Sequence, residues 1–157
     1  HLRGAVADKN LEDMDGMSIA QYVAGMGFSN VGLGIVHSMA HPLGAVYDIP
    51  HGIANALLLP TVMEFNMLAC IEKYGDIARA MGVDTTGMSK EVAAQAAVDA
   101  VRKLAIDVGI PQTLREIGIP KEGLPKLLKD ALADVCTGGN PKDVTLEDIE
   151  KLYNKVY

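Results

Sequence analysis

Three of the chain's four histidines, His37, His41 and His51, fall within one short stretch, VHSMAHPLGAVYDIPHG, from Val36 to Gly52. The fourth, His1, stands at the first position. Imidazole is the side chain most often used to hold a transition metal or to move protons near neutral pH. Clustered in a segment whose single charged residue is Asp48, these rings read as the wall of a metal site. His37 and His41 are four apart on a predicted helix, so both leave one face about a turn apart. His51 follows a predicted loop that can turn the chain back toward them. By spacing alone the HxxxH pair would chelate one ion, as in helical zinc sites. The competing reading is a set of hydrogen-bonded core or interface histidines, because buried polar groups need only find partners. His51 shifts the balance toward a metal. No carboxylate stands where a further ligand is needed, and Asp48 more naturally caps a turn before Pro50. The stretch therefore holds too few ligands to complete a site alone.

Other reactive residues carry less. Cys70 and Cys136 are far apart and form no CxxC pair, which argues against a disulfide framework or a thiolate zinc site and fits a reducing cytoplasm. Cys136 has no cation beside it in sequence, as a nucleophilic thiolate would require. Gly25-x-Gly27 and Gly32-x-Gly34 follow no predicted strand and lack the third glycine of a dinucleotide fingerprint, so close backbone packing is their expected role. The methionines read as core filler. With a net charge of −6 and no basic cluster, the chain has no electrostatic grip on nucleic acid. The first ten residues are polar and mixed in charge, with no leader pattern.

The elements that must position these residues are helical throughout, since alternating β-type runs are absent. Ser18 is a candidate N-cap for a helix through Phe28, with Ile19, Tyr22, Val23 and Met26 on one stripe and a break at Ser29-Asn30. A second helix runs from Val31 to His41 and stops before Pro42, followed by a loop over Leu43–Ile49. A third begins at His51 and is kinked or restarted at Pro60. Further helices are predicted over Ile71–Met81, Ser89–Val108, Leu124–Val135 and Thr145–Tyr157, the last opened by a Thr145-to-Asp148 box. Thr113–Ile117 is a single turn and Cys136–Pro141 a tight loop. The expected fold is all-α, a bundle of about seven or eight helices in one domain, residues 1–157. From Met17 to Tyr47 there is no Asp, Glu, Lys or Arg, yet interspersed polar residues, proline and glycines leave no clean membrane span. A pair of helices buried on most sides is expected, with a partner chain or another domain covering one face.

The run from Tyr22 to Asn66, with its HxxxHxLGA…PHG pattern, resembles the iron-containing (group III) alcohol dehydrogenases. The tail VCTGGNPKDVTLEDIEKLY resembles the branch of that family acting on 1,2-diols and their aldehydes. The resemblance covers essentially the whole chain. It implies the C-terminal helical half of a dehydroquinate synthase-like two-domain enzyme whose N-terminal dinucleotide-binding domain lies outside this sequence. It further implies that His37 and His51 are metal ligands, and that His41 lies beside nicotinamide and substrate as a proton relay. That assignment overrules the simple HxxxH pairing. Phe28 and Cys136 match positions lining the substrate pocket. Implied cofactors are Fe²⁺, with Zn²⁺ as the competing metal, and NAD(H). Implied partners are the missing domain and a small alcohol or aldehyde, with a homo-oligomer compatible. No nucleic acid or membrane partner is expected, and the location is cytoplasmic. The alternative is a free-standing helical metal-binding module without catalysis.

Overall fold

The computed structural model describes all 157 residues and contains eight α-helices and no strand. They are α1 (Leu2–Ala7), α2 (Leu11–Val31), α3 (Ile35–Tyr47), α4 (His51–Asn66), α5 (Ile71–Ala80), α6 (Lys90–Asp107), α7 (Leu124–Ala133) and α8 (Leu146–Lys155). The expected all-α architecture holds. A core of 18 buried residues joins α3, α4, α7 and α8, with Ile35, Met39, Leu43, Leu58, Leu127, Ile149 and Tyr153 at its centre. A smaller cluster, Met63, Tyr74, Ala78, Ala94, Ala97 and Val98, ties α5 and α6 to α4.

Three of the predicted helices differ from expectation in where they begin or end. α2 begins at Leu11, because the Asn10 side chain accepts the Asp13 N–H (2.9 Å) while Glu12 and Asp13 complement the helix N-terminus. It also runs through Ser29-Asn30, where Asn30 Nδ2 donates back to the Met26 carbonyl (2.7 Å), and ends at Gly32, whose φ of +81° suits glycine. α3 starts four residues later than predicted and continues through Pro42 to Tyr47, so the loop expected over Leu43–Ile49 is mostly helix. An interior proline costs about 3 kcal/mol or more. Here Pro42 is itself buried, as are Met39, Ala40 and Leu43 of the same helix, and burial of the apolar ring offsets the lost hydrogen bond. α3 ends where Asp48 turns left-handed (φ +56°). α4 likewise passes through a buried Pro60 to Asn66 without restarting.

The charge-free segment is buried only in part. α3 is a core helix, but α2 has no buried residue, and Ile19, Tyr22, Val23, Met26 and Phe28 are all exposed. The chain bends by 108° between the two helices. By length and composition His51–Ala69 could cross a membrane, yet Ala54, Leu57, Leu58, Val62 and Met63 on it are buried against other helices. Gly25, Gly27 and Gly32 meet nothing, so the expected close approach is missing there, whereas a Cβ at Gly34 would lie 3.5 Å from the Asn140 Cα. The closest approach in this region is at Gly139, where a Cβ would lie 2.0 Å from the Leu33 carbonyl oxygen.

Candidate metal centre

α3 carries His37 and His41 on the face beside its core residues, and the Asp48 turn delivers His51 as the first residue of α4. The three rings converge. Their centroids are 6.0 Å apart for His37–His41, 5.4 Å for His37–His51 and 5.5 Å for His41–His51. The chemistry of the three differs. His41 Nδ1 lies 2.7 Å from Asp134 Oδ2. Burial acts to raise the Asp134 carboxyl, but hydrogen bonds from His41 and Cys136 outweigh it and leave the group below the usual carboxylate range. An ionised carboxylate only accepts, so His41 donates through Nδ1 and keeps the Nε2 lone pair free. His51 Nε2 is 3.1 Å from Asn55 Nδ2, which also donates to the His51 carbonyl (2.9 Å).

His37 engages no protein partner through either nitrogen, although it is half-buried. Burial first, then charge repulsion from the adjacent His51 and His41 rings, lower its pKa, against a smaller opposing pull from Asp134. It is therefore a neutral imidazole with an unclaimed lone pair at neutral pH. Core histidines are ordinarily hydrogen-bonded, so that reading suits His41 but not His37.

Asp134 is the residue that sequence reasoning missed. It caps a short 3-10 turn, Val135–Gly139, by accepting the Cys136 N–H (2.8 Å) on Oδ1. The available signal was the Asp-x-Cys-x-Gly-Gly pattern of an Asx turn; its histidine partner lies 93 residues away. The turn is pinned to α3 and α4. Thr137 Oγ1 sits 2.8 Å from both Ser38 Oγ and the Ala131 carbonyl, and Asn66 and Asn140 exchange amide hydrogen bonds of 2.8 and 2.9 Å. Phe28 and Cys136, placed far apart in sequence, line one groove of about 460 Å³ with Leu33 and Val135. Burial, then the Asp134 carboxylate, push the Cys136 thiol up, so it is not an activated thiolate.

The sequence profile of the Fe-containing alcohol dehydrogenase family, C-terminal, matches residues 1–157. The chain belongs to that family. It is 60% identical over 157 residues to lactaldehyde reductase of Escherichia coli (strain K12), covering 99% of this chain and 41% of the relative. Identity to 1,3-propanediol dehydrogenase of Klebsiella pneumoniae is 42%, covering all of this chain and 41% of the relative. Among solved structures, 1,3-propanediol oxidoreductase superposes with a TM-score of 0.96 at 42% identity, covering 99% of this chain and 41% of that one. Alcohol dehydrogenase from Oenococcus oeni gives 0.94 at 42% identity with the same coverage. The chain thus spans about two fifths of the length of these relatives and corresponds to the family's helical C-terminal part.

Proposed function

We propose that residues 1–157 form the metal-holding half of an NAD-linked dehydrogenase interconverting small primary alcohols or diols and their aldehydes. The lactaldehyde/1,2-propanediol pair is the favoured substrate, by likeness to the 60%-identical relative. The carrying observation is that His37 is a neutral, half-buried imidazole without a partner, facing His51 at 5.4 Å between ring centres. Two imidazoles sharing a tetrahedral ion, with metal–nitrogen bonds near 2.0–2.1 Å, place their ring centres about 5 Å apart. The pair fits such an ion as two of its four ligands; a preceding dinucleotide-binding domain supplies the rest. The N/O donors of such a set suit Fe²⁺ or Zn²⁺. When bound, the ion supplies Lewis acidity toward an alcohol oxygen, and a nicotinamide serves as the hydride acceptor.

The chain's own residues then have distinct tasks. His37 and His51 orient the ion. His41, fixed by Asp134 in the tautomer with Nε2 free, accepts the alcohol proton and passes it toward solvent. Phe28 and Cys136 shape the groove that holds the carbon chain. The exposed apolar face of α2 packs on the preceding domain, which excludes water from the cleft between the two. The unpaired cysteines agree with a cytoplasmic location. The test is NADH oxidation with lactaldehyde by a polypeptide carrying both halves. Turnover is expected there, and a His41→Ala loss of about 10²–10⁴-fold, the usual contribution of a proton-transferring side chain. Unchanged turnover in that variant would overturn the relay assignment.

A further inference from the structure

We propose that His41, Asp134 and Cys136 form a second cation site, separate from the His37–His51 pair, that takes one thiophilic divalent ion of the Zn²⁺ or Cd²⁺ class. Their ligand atoms (imidazole nitrogen, carboxylate oxygen and sulfur) all lie within 4.8 Å of one another. A mixed nitrogen, oxygen and sulfur set suits soft or borderline ions and disfavours Mg²⁺ and Ca²⁺, which demand oxygen ligands. Three protein ligands leave a fourth position for water.

The frame is built before any ion arrives. Asp134 and Cys136 sit two residues apart in one turn, locked together by the Cys136 N–H to Asp134 Oδ1 hydrogen bond (2.8 Å). That turn is held against α3 through Thr137 and Ser38 (2.8 Å), and against α4 through the Asn66–Asn140 pair. Outer partners of this kind orient ligands and strengthen metal binding. Access is open too: Cys136 lines the groove beside Phe28, and the His41 side chain is 39% exposed. His41 Nδ1 and Asp134 Oδ2, now 2.7 Å apart, need to open only to about 3.3 Å, the tetrahedral edge for bonds near 2.0–2.1 Å. The His41 ring proton moves from Nδ1 to Nε2, and the Cys136 thiol gives its proton to solvent as sulfur binds. An ion held there occupies His41 and so blocks the relay proposed above. That consequence rests on the dehydrogenase reading, whereas the site itself does not.

The test is titration of the purified chain with CdCl₂, followed by thiolate-to-Cd²⁺ charge-transfer absorption in the ultraviolet. One ion per chain is expected to give the band, which Cys136→Ser and Cys136→Ala abolish and Cys70→Ser leaves intact. His41→Ala and Asp134→Asn are expected to weaken binding by about 10-fold or more. His37→Ala and His51→Ala leave the band unchanged, since an ion on that pair has no sulfur ligand. Helical circular dichroism verifies that each variant is folded. The proposal is overturned if no band appears, if Cys70→Ser removes it, or if His41→Ala and Asp134→Asn bind Cd²⁺ like the parent. None of these outcomes touches the dehydrogenase reading, whose failure would leave the Cd²⁺ band in place.

Discussion

Gly139→Ala separates an account in which the 3-10 turn is held rigidly against α3 from one in which it is a loose surface loop. A Cβ at position 139 would lie 2.0 Å from the Leu33 carbonyl oxygen and 3.2 Å from its carbon. Both are backbone atoms, so no side-chain rotation relieves the clash. Contacts under 3.0 Å are essentially never tolerated, so the turn and the Leu33–Gly34 backbone must separate by at least 1.0 Å. Overpacking of this kind costs about 1–3 kcal/mol, or a melting shift of roughly 2–4 °C per kcal/mol for a chain of this size. If the turn absorbs the movement, the Asp134–His41 bond of 2.7 Å lengthens by up to about 1 Å, which at its limit takes it beyond hydrogen-bonding range. Gly138→Ala is the matched control: its Cβ meets nothing within 4 Å, so its effect should stay within about 0.5 kcal/mol. Urea denaturation gives both stabilities, and nitrogen NMR of the His41 ring reports the Nδ1–H bond. If Gly139→Ala matches Gly138→Ala in stability and leaves the His41 signal unmoved, the rigid-turn argument fails.

Other expectations concern the frame around the site. Tyr153, fully buried, donates its hydroxyl to the Met39 carbonyl (2.6 Å) between His37 and His41, and burial keeps that hydroxyl protonated. Tyr153→Phe should destabilise by about 1–3 kcal/mol, the cost of a buried hydrogen bond with one partner left unsatisfied; a loss below about 0.5 kcal/mol in urea denaturation would contradict it. Glu64 joins α4 to α8 through Lys155 (2.8 Å) and to α6 through Arg102 (3.2 Å). The Lys155 hydrogen bond, against the opposing effect of burial, lowers its pKa below 4.5. A depressed carboxylate stabilises above its unfolded pKa and loses that contribution as pH falls through the folded value. Glu64→Gln should therefore cost about 0.5 kcal/mol at pH 7, after allowance for solvent screening, and the gap should close as pH falls through the depressed folded-state pKa. A gap that persists at low pH would show the ion pairs to be irrelevant. The 157-residue chain by itself, with only half of the proposed ligand set, should give no NADH turnover with lactaldehyde. Measurable turnover would remove the need for a second domain.

Local signals in the sequence were readable wherever the stabilising partner is close by. α6 starts where Ser89 Oγ accepts the Val92 N–H, and α8 where the Thr145–Asp148 box closes, both as the sequence predicts. The three histidines could be brought together in advance because one turn of helix and one short turn of chain separate them. Pro42 and Pro60 misled for the opposite reason: the rule that proline ends a helix is local, while the burial that overrides it comes from distant helices. Asp134 was hidden because its partner sits across the core. The charge-free run from Met17 pointed to two helices buried on most sides; α3 is buried as expected, whereas α2 buries no residue, because burial depends on neighbours that composition does not name.

The central claim is that one imidazole from α3 and the one opening α4 hold the ion while His41 does not. Metal content of a polypeptide carrying both halves, measured by plasma emission after dialysis for His37→Ala, His51→Ala and His41→Ala, each in a Cys136→Ser background that removes the sulfur-containing site, tests it directly. The first two variants should lose their bound ion and His41→Ala should keep it. Retention of metal in His37→Ala, or its loss only in His41→Ala, would contradict the account.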